Sequence, residues 1–189
     1  PNIDCRRIRT ILVSEYQRWS LGVPAVNLRA SNWDQKKDLA VGRYDKRNLI
    51  VLVHPGQVTN WLWEDNYPFM PFESLFLARY LENHGYQVMI IDQRVEPEWE
   101  AKLKAARNDV LWVGVTAISG PQVADALHAA AAIRKLTPEA PIVWGGWHPS
   151  FFPEKTAQHP LADFVITGIG EMKVKELSEY ITGGCQGDL

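Results

Sequence analysis

The segment that decides the fold reads Leu49-Ile50-Val51-Leu52-Val53, a short unbroken run of apolar, mostly β-branched residues. A strand buried on both faces has this composition, whereas a strand with one solvated face alternates apolar and polar residues. Similar runs follow over residues 87–92 (QVMIID) and 110–116 (VLWVGVT). The pattern therefore predicts a sheet that is covered on both faces.

Helical segments separate the predicted strands. Phe72 to His84 has apolar residues at helical spacing, and Gly85 follows where a helix C-terminal cap belongs. Further helices are predicted from Pro97 to about Arg107, from Pro121 to Leu136 and from about Glu171 to Ile181, with strands over 142–144 and 164–167 and room for only a short helix over 153–159. Strand-helix alternation implies right-handed crossovers and a parallel sheet. We therefore expect an α/β, flavodoxin-like (Rossmann-like) doubly wound five-stranded parallel sheet with helices on both faces.

Composition bounds the function. The chain has 189 residues, of which 46% are hydrophobic and 22% charged, as in an ordinary soluble globular domain. A net charge of -2 without a basic run argues against nucleic acid. The two cysteines, Cys5 and Cys185, form neither a disulfide framework nor a metal pair, which predicts a reducing cytoplasm. The apolar runs are strand-length and the start lacks a signal sequence, so we expect no membrane span.

Open parallel sheets bind ligands beyond the carboxyl ends of their strands. The first strand is followed by His54-Pro55-Gly56 and by a long loop to Pro71 that contains Trp61, Trp63, Tyr67 and Pro68. Loops of this length are usually functional or disordered. A loop that faces a ligand or partner and a flap that packs on the protein itself both remain open.

Glycine and serine residues follow three other strands. The segments are Thr116-Ala117-Ile118-Ser119-Gly120-Pro121-Gln122, Gly145-Gly146-Trp147-His148-Pro149-Ser150 and Gly168-Ile169-Gly170-Glu171. Taken singly, they have simpler explanations, namely a Ser-capped turn, a β-bulge and a helix N-terminus. The last segment is not a dinucleotide fingerprint, because it follows the wrong strand. Their convergence on one sheet edge favours a large planar ligand that approaches the backbone closely.

These segments resemble the cobalamin-binding domains of cobalamin-dependent radical S-adenosylmethionine (radical SAM) enzymes. The similarity covers about residues 48–182, from Tyr67-Pro68 through His84-Gly85 and Ile91-Asp92 to the Gly-Gly-x-His-x-Ser and Gly-x-Gly-Glu segments. Glu is usual in that family where Ile169 stands. The resemblance implies that the corrin lies across the strand ends, facing the Trp-rich loop, and that its nucleotide tail passes Thr116, Ser119, Gly145 and Gly146.

The strand ends and the resemblance together give a set of expected cofactor-binding residues. They are His54, Pro55, Tyr67, Pro68, Asp92, Thr116, Ala117, Ile118, Ser119, Gly120, Gln122, Gly145, Gly146, Trp147, His148, Gly168, Gly170 and Glu171. The Asp-x-His-x-x-Gly sequence, whose His binds cobalt in classical cobalamin domains, is missing. We therefore expect that cobalt has no protein ligand, and that neither His54 nor His148 coordinates it.

The resemblance also implies a longer parent enzyme. Residues 1–45 fit no βα repeat and are predicted to be an irregular extension of unknown role, 46–183 the cobalamin-binding domain, and 184–189 the start of a linker to a catalytic domain. The Cys-x-x-x-Cys-x-x-Cys cluster motif is missing, and the start at Pro1 suggests an excised piece. S-adenosylmethionine and an iron-sulfur cluster would bind only in the parent's other domain, and the parent would be a methyltransferase or a cyclase.

Two other functions share this architecture. A signalling receiver needs an acidic cluster after the first strand and a phosphoacceptor Asp after the third, where His54 and Thr116 stand instead. A degenerate interaction module that has lost its cofactor would keep the same fold. Binding of cobalamin distinguishes that second alternative from the cofactor-binding module.

Overall fold

The computed structural model describes residues 46–56 and 70–183. Their strands are β1 (Leu49–His54), β2 (Gln87–Asp92), β3 (Val110–Thr116), β4 (Ile142–Gly145) and β5 (Phe164–Val165). Their helices are α1 (Phe72–Glu82), α2 (Trp99–Ala106), α3 (Gln122–Leu136), α4 (Trp147–Phe151), α5 (Pro153–Gln158) and α6 (Glu171–Ile181). Strand and helix alternate along the chain as the sequence predicts.

All neighbouring strands pair in parallel, in the order β2-β1-β3-β4-β5. This is the flavodoxin-like order, so the predicted fold class is confirmed. The strand order reverses beside β1, because the chain adds β2 on one side of β1 and β3 to β5 on the other. A ligand crevice in such a sheet is expected at the carboxyl ends of β1 and β3.

Each face of the sheet has its own core. On one face, Val113 and Val115 of β3 pack with Leu103 of α2 and with Ala126 and Ile133 of α3. The other face packs α1 and α6 against the sheet through Leu52, Trp112, Val143, Leu81 and Leu177. Side chains alternate between the faces along each strand, which is why unbroken apolar runs predict a sheet covered on both sides.

Several predicted boundaries are corrected by the structure. Helix α2 begins at Trp99 rather than Pro97, and β5 ends at Val165 rather than Thr167. Residues 147–151, predicted as loop, form the short helix α4, so two short helices rather than one join β4 to β5. Glycine and proline lower helix propensity in this segment, but the Ser150 hydroxyl and amide both donate to Gly146 O and stabilise the turn.

Some predictions lie outside the described residues. These include the role of residues 1–45, the Trp-rich loop with Tyr67 and Pro68, and both cysteines. Within residues 46–56 and 70–183, no helix is long and apolar enough to cross a membrane.

Candidate functional site

A cavity of about 860 Å³ opens at the carboxyl edge of the sheet. It extends between the sheet face and the two helices α1 and α6. Its walls come from β1, β3 and β4 on one side, from α1 and α6 on the other, and from the loops that follow β3, β4 and β5. The cavity therefore lies at the crevice that the strand order predicts.

The depth of the cavity follows from the alternation of side chains along β3. Thr116, Gly114 and Trp112 point to the same face and line the cavity at successive levels. Leu52 of β1 and Val143 of β4 pair with Gly114 and lie beside it. Trp112 is only 1% exposed and closes the bottom, so the cavity is a slot with a defined floor.

Gly114 lies in the middle of this slot, where the side chains of Trp112 and Leu52 approach the strand closely. A Cβ atom at this position would lie 3.0 Å from Cζ3 of Trp112 and 3.1 Å from Cδ2 of Leu52. A larger residue in the centre of β3 would therefore displace the floor or fill the slot. A glycine inside a buried strand commonly marks such a close approach.

The two consecutive glycines after β4 have different roles. A Cβ atom on Gly145 would meet no atom within 4 Å, so this glycine faces the open slot. Gly146 has φ 97°, and its Cβ would lie 2.9 Å from both Ala117 O and Thr116 Oγ1. The predicted close backbone approach therefore occurs at Gly146, within the protein itself. The β-bulge alternative is wrong here, because β3 and β4 pair in continuous register through Gly145.

Charged side chains lie at the mouth of the slot. His54 Nδ1 and Glu73 Oε1 are 3.1 Å apart, and the pKa of Glu73 is lowered, chiefly by this hydrogen bond. Arg94 donates from Nε and Nη2 to the two carboxylate oxygens of Asp92, at 2.8 and 2.6 Å. Burial alone would raise the pKa of Asp92, but the hydrogen bonds from Arg94 hold it below its ordinary value. His54, Glu73 and Arg94 line the cavity, whereas Asp92 stands behind Arg94.

The loop after β3 is held by Gln122 of α3 and by His148 of α4. Gln122 Oε1 accepts a 2.8 Å hydrogen bond from the Ile118 amide, and Ser119 Oγ lies 3.2 Å from His148 Nδ1. Helix α3 has no side-chain N-cap, so the Ser-capped turn considered from the sequence is wrong. Burial lowers the pKa of His148, which favours its neutral form.

The loop after β5 is tied to the loop after β4. The Gly168 amide donates to Ser150 Oγ at 2.9 Å, and this hydroxyl donates to Gly146 O at 2.7 Å. A Cβ atom on Gly170 would lie 3.3 Å from Cδ2 of Leu77 in α1. Ile169, which stands where the family usually has Glu, is 83% exposed. The two loops thus form one connected rim.

The structure brings many of the predicted residues together. Those that line the cavity are His54, Thr116, Ile118, Gln122, Gly145, Gly146, Trp147, Gly168, Gly170 and Glu171. Those that lie among the described residues but do not line it are Pro55, Asp92, Ala117, Ser119, Gly120 and His148. Asp92, Ser119 and His148 instead contact cavity residues or one another. Tyr67 and Pro68 lie outside the described residues.

Sequence reasoning missed the walls and floor of the slot. These residues include Leu52, Ser74, Leu77, Trp112, Gly114, Val143 and Val174. In the sequence, Leu77 and Val174 look like ordinary core positions of amphipathic helices. Gly114 was the available signal, because a glycine inside a buried apolar strand calls for an explanation.

The cavity suits a large ligand with an apolar body and a polar periphery. Its volume falls within the range of small-molecule sites, roughly 300–1,000 Å³. The interior is lined by Leu52, Val143 and Val174, and hydrogen-bonding groups stand at the mouth. A corrinoid, with amide groups around its ring and a dangling nucleotide, has this distribution of polarity.

Comparison with known proteins also indicates a corrinoid, namely cobalamin. The family model described as the B12 binding domain matches residues 66–178. Cytidylyl-2-hydroxyethylphosphonate methyltransferase from Streptomyces wedmorensis is 28% identical over 134 residues, which cover 60% of this chain and 25% of that protein. The chain therefore spans about a quarter of the length of this curated relative.

Solved structures of radical enzymes are also similar to this chain. The radical S-adenosylmethionine methyltransferase TsrM from Kitasatospora setae, with cobalamin and a [4Fe-4S] cluster bound, is 25% identical with a TM-score of 0.59 over 74% of this chain and 27% of TsrM. The structure of TsrM with tryptophan substrate and a SAM analogue is 27% identical with a TM-score of 0.58, and the match covers 74% of this chain and 26% of TsrM. The radical enzyme OxsB with aqua-cobalamin shares the fold. It is 18% identical with a TM-score of 0.56, and the match covers 71% of this chain and 19% of OxsB.

Proposed function

Because the chain belongs to the B12 binding domain family and binds cobalamin, we propose that residues 46–183 hold its nucleotide tail in the slot above Trp112. The observation that carries this proposal is the slot itself. It descends along β3 from Thr116 past Gly114, and it is open beside Gly145, where a Cβ atom would meet no atom within 4 Å. When bound, cobalamin supplies a cobalt ion that can carry a methyl group.

The residues at the mouth are proposed to hold the polar periphery of the corrinoid. Thr116 offers a hydroxyl group, and His54 and Arg94 offer nitrogen donors on the β1 and β2 side. The exposed side chains of Ile118 and Trp147 would pack on the apolar part of the ring. Gly168 and Gly170 border the slot and allow the last βα loop to approach the ligand.

We propose that cobalt has no ligand from this protein. The missing Asp-x-His-x-x-Gly sequence supports this proposal. One observation favours the alternative: the Glu73 carboxylate on Nδ1 of His54 is the type of contact commonly found behind metal-bound histidines. Electron paramagnetic resonance of the unchanged protein and of His54→Ala distinguishes the two. An axial nitrogen, from His54 or from the nucleotide base, splits the signal of cob(II)alamin, and only a splitting from His54 would disappear in the variant.

The whole protein is proposed to be a cobalamin-dependent radical SAM methyltransferase. The support comes from the relatives, which are named as methyltransferases and are about four times as long as the matched region. In this proposal, residues 184–189 lead into the domain that binds S-adenosylmethionine and the iron-sulfur cluster. The two widely separated cysteines support a cytoplasmic location. A Cys-x-x-x-Cys-x-x-Cys sequence beyond residue 189 of the parent gene would test the enzyme class.

A binding assay on the 189-residue chain tests the function directly. The purified protein is mixed with hydroxocobalamin, desalted, and measured for corrin absorbance that elutes with the protein. We expect about one corrinoid per chain, because the described residues form one continuous slot. A colourless protein peak would contradict the proposal and favour the degenerate interaction module.

A further inference from the structure

The slot has polar groups at its mouth and apolar groups at its floor. His54, Glu73, Ser74 and Thr116 lie at strand ends or in the first turn of a helix. Below them, Leu52 and Val143 are almost fully buried on the sheet side. The helical wall at this depth is formed by Leu77 and Val174.

The polar groups near the floor are already paired. The indole Nε1 of Trp112 donates to Ser178 Oγ at 2.9 Å, and this hydroxyl donates to Val174 O at 2.7 Å. The backbone of Gly114 and Val143 belongs to the parallel ladder between β3 and β4. Among the described residues that form the floor, the side chains therefore offer hydrocarbon and ring surface.

Corrinoids differ in the base at the end of their nucleotide tail. 5,6-Dimethylbenzimidazole, the base of cobalamin, carries two methyl groups, whereas adenine carries an exocyclic amine and further ring nitrogens. We infer that the slot selects corrinoids by this base, and that it binds a benzimidazole corrinoid in preference to one with a purine. This inference rests on the proposed placement of the tail in the slot.

The physical reason is the cost of unpaired polar groups. A purine amine or ring nitrogen held against Leu52, Val143 and Val174 would lose its hydrogen bonds to water without gaining others. Binding of the adenine corrinoid should therefore be about tenfold to a hundredfold weaker. Adenine leaves cobalt more readily than dimethylbenzimidazole does, which acts in the opposite direction, so a measured preference for cobalamin reflects the slot.

The experiment compares three ligands on the 189-residue chain, namely hydroxocobalamin, the hydroxo form of adeninylcobamide, and cobinamide, which has no nucleotide. Dissociation constants come from titrations followed by corrin absorbance. We expect cobalamin to bind tightest and adeninylcobamide at least about tenfold more weakly. Equal affinity for cobalamin and adeninylcobamide, both tighter than cobinamide, would overturn base selection and leave the tail placement intact. Cobinamide binding as tightly as cobalamin would instead overturn the placement itself.

A hydroxyl group added to the floor should reduce the preference. Val143→Thr changes a slot residue at almost constant volume and gives a purine a hydrogen-bonding partner, so we expect the preference to fall several-fold. Val113→Thr is the matched control, because Val113 packs on the opposite face of the sheet. If Val143→Thr fails to fold, Val174→Thr places a hydroxyl on the helical wall instead. An unchanged ratio in a folded slot variant would contradict the inference. The difference in base release from cobalt cancels when the ratio of the variant is compared with that of the unchanged protein.

Discussion

The substitution Gly145→Leu should weaken cobalamin binding without unfolding the domain. A Cβ atom at Gly145 meets nothing within 4 Å, so a leucine side chain would enter the slot and displace the nucleotide tail. The neighbouring Gly146 is the matched control. It has φ 97°, and its Cβ would lie 2.9 Å from the backbone oxygen of Ala117, so even alanine there disturbs the fold.

The magnitudes separate the two variants. Overpacking a filled site costs about 1–3 kcal/mol, so Gly145→Leu should weaken cobalamin binding about 5-fold to 150-fold. The free energy of unfolding of the cofactor-free protein should stay level or rise by up to about 1 kcal/mol, because glycine is unfavourable in a strand. Gly146→Ala places a side chain in a strained backbone conformation, which costs about 1–3 kcal/mol before the contact with Ala117 is counted. Its melting temperature should fall by at least about 5 °C.

The assay combines thermal unfolding, followed by circular dichroism, with titration of hydroxocobalamin. We expect Gly145→Leu to melt like the unchanged protein and to bind poorly, and Gly146→Ala to melt early. A Gly145→Leu variant that folds and binds cobalamin with unchanged affinity would refute the placement of the tail in the slot. A Gly146→Ala variant with unchanged stability would refute the account of the double glycine.

Three further measurements follow from individual contacts. The electron paramagnetic resonance spectrum of cob(II)alamin bound to the protein should show no splitting from a protein nitrogen. His54→Ala should leave that spectrum unchanged. A splitting that disappears in His54→Ala would establish a His ligand. Because the pKa of Asp92 is lowered, its carboxylate contributes stability above pH 3.8, the ordinary pKa, and loses this contribution as the pH falls through the folded-state pKa. Asp92→Asn should therefore destabilise the protein by about 2 kcal/mol at pH 7, and by a smaller amount once the pH is far below 3.8. Denaturant unfolding at each pH measures the difference. Asp163→Ala should lower the free energy of unfolding by about 2–3 kcal/mol, because its carboxylate accepts from Arg134 and from the Ile142 amide; a loss below about 0.5 kcal/mol would contradict this assignment.

The strands were predictable because their composition leaves few alternatives. A run such as residues 110–116, with almost no polar residue, can only be satisfied in a strand or helix covered on both sides, and its length favours the strand. The short helix Trp147–Phe151 was not predictable in the same way. Gly146 before it and Pro149 within it lower helix propensity, and the contacts that stabilise it come from the Ser150 side chain and from the rim of the next loop.

The rim of the site was more predictable than its walls. Residues after parallel strands meet at one edge by topology, so the sequence alone indicates that Thr116, Gly145 and Gly168 converge. Leu77 and Val174 have the spacing and chemistry of core residues, and nothing local distinguishes a side chain that packs on protein from one that packs on a ligand. The same limit applied to the double glycine, because only the structure shows that Ala117 approaches Gly146 and that Gly145 faces open space.

The two faces of the sheet show what determines the position of the slot. On the face that α2 and α3 cover, Val113 and Val115 of β3 belong to one buried cluster with Ala126 and Ile133 of α3. On the other face, β4 ends at Gly145, which has no side chain, and α1 and α6 do not fill the space that this leaves. Cavity walls lose partner atoms and stability. A Cβ atom on Gly145 would meet no atom within 4 Å, so a sequence selected for stability alone would place a larger residue at position 145. The glycine there is best explained by a ligand that restores the missing contacts.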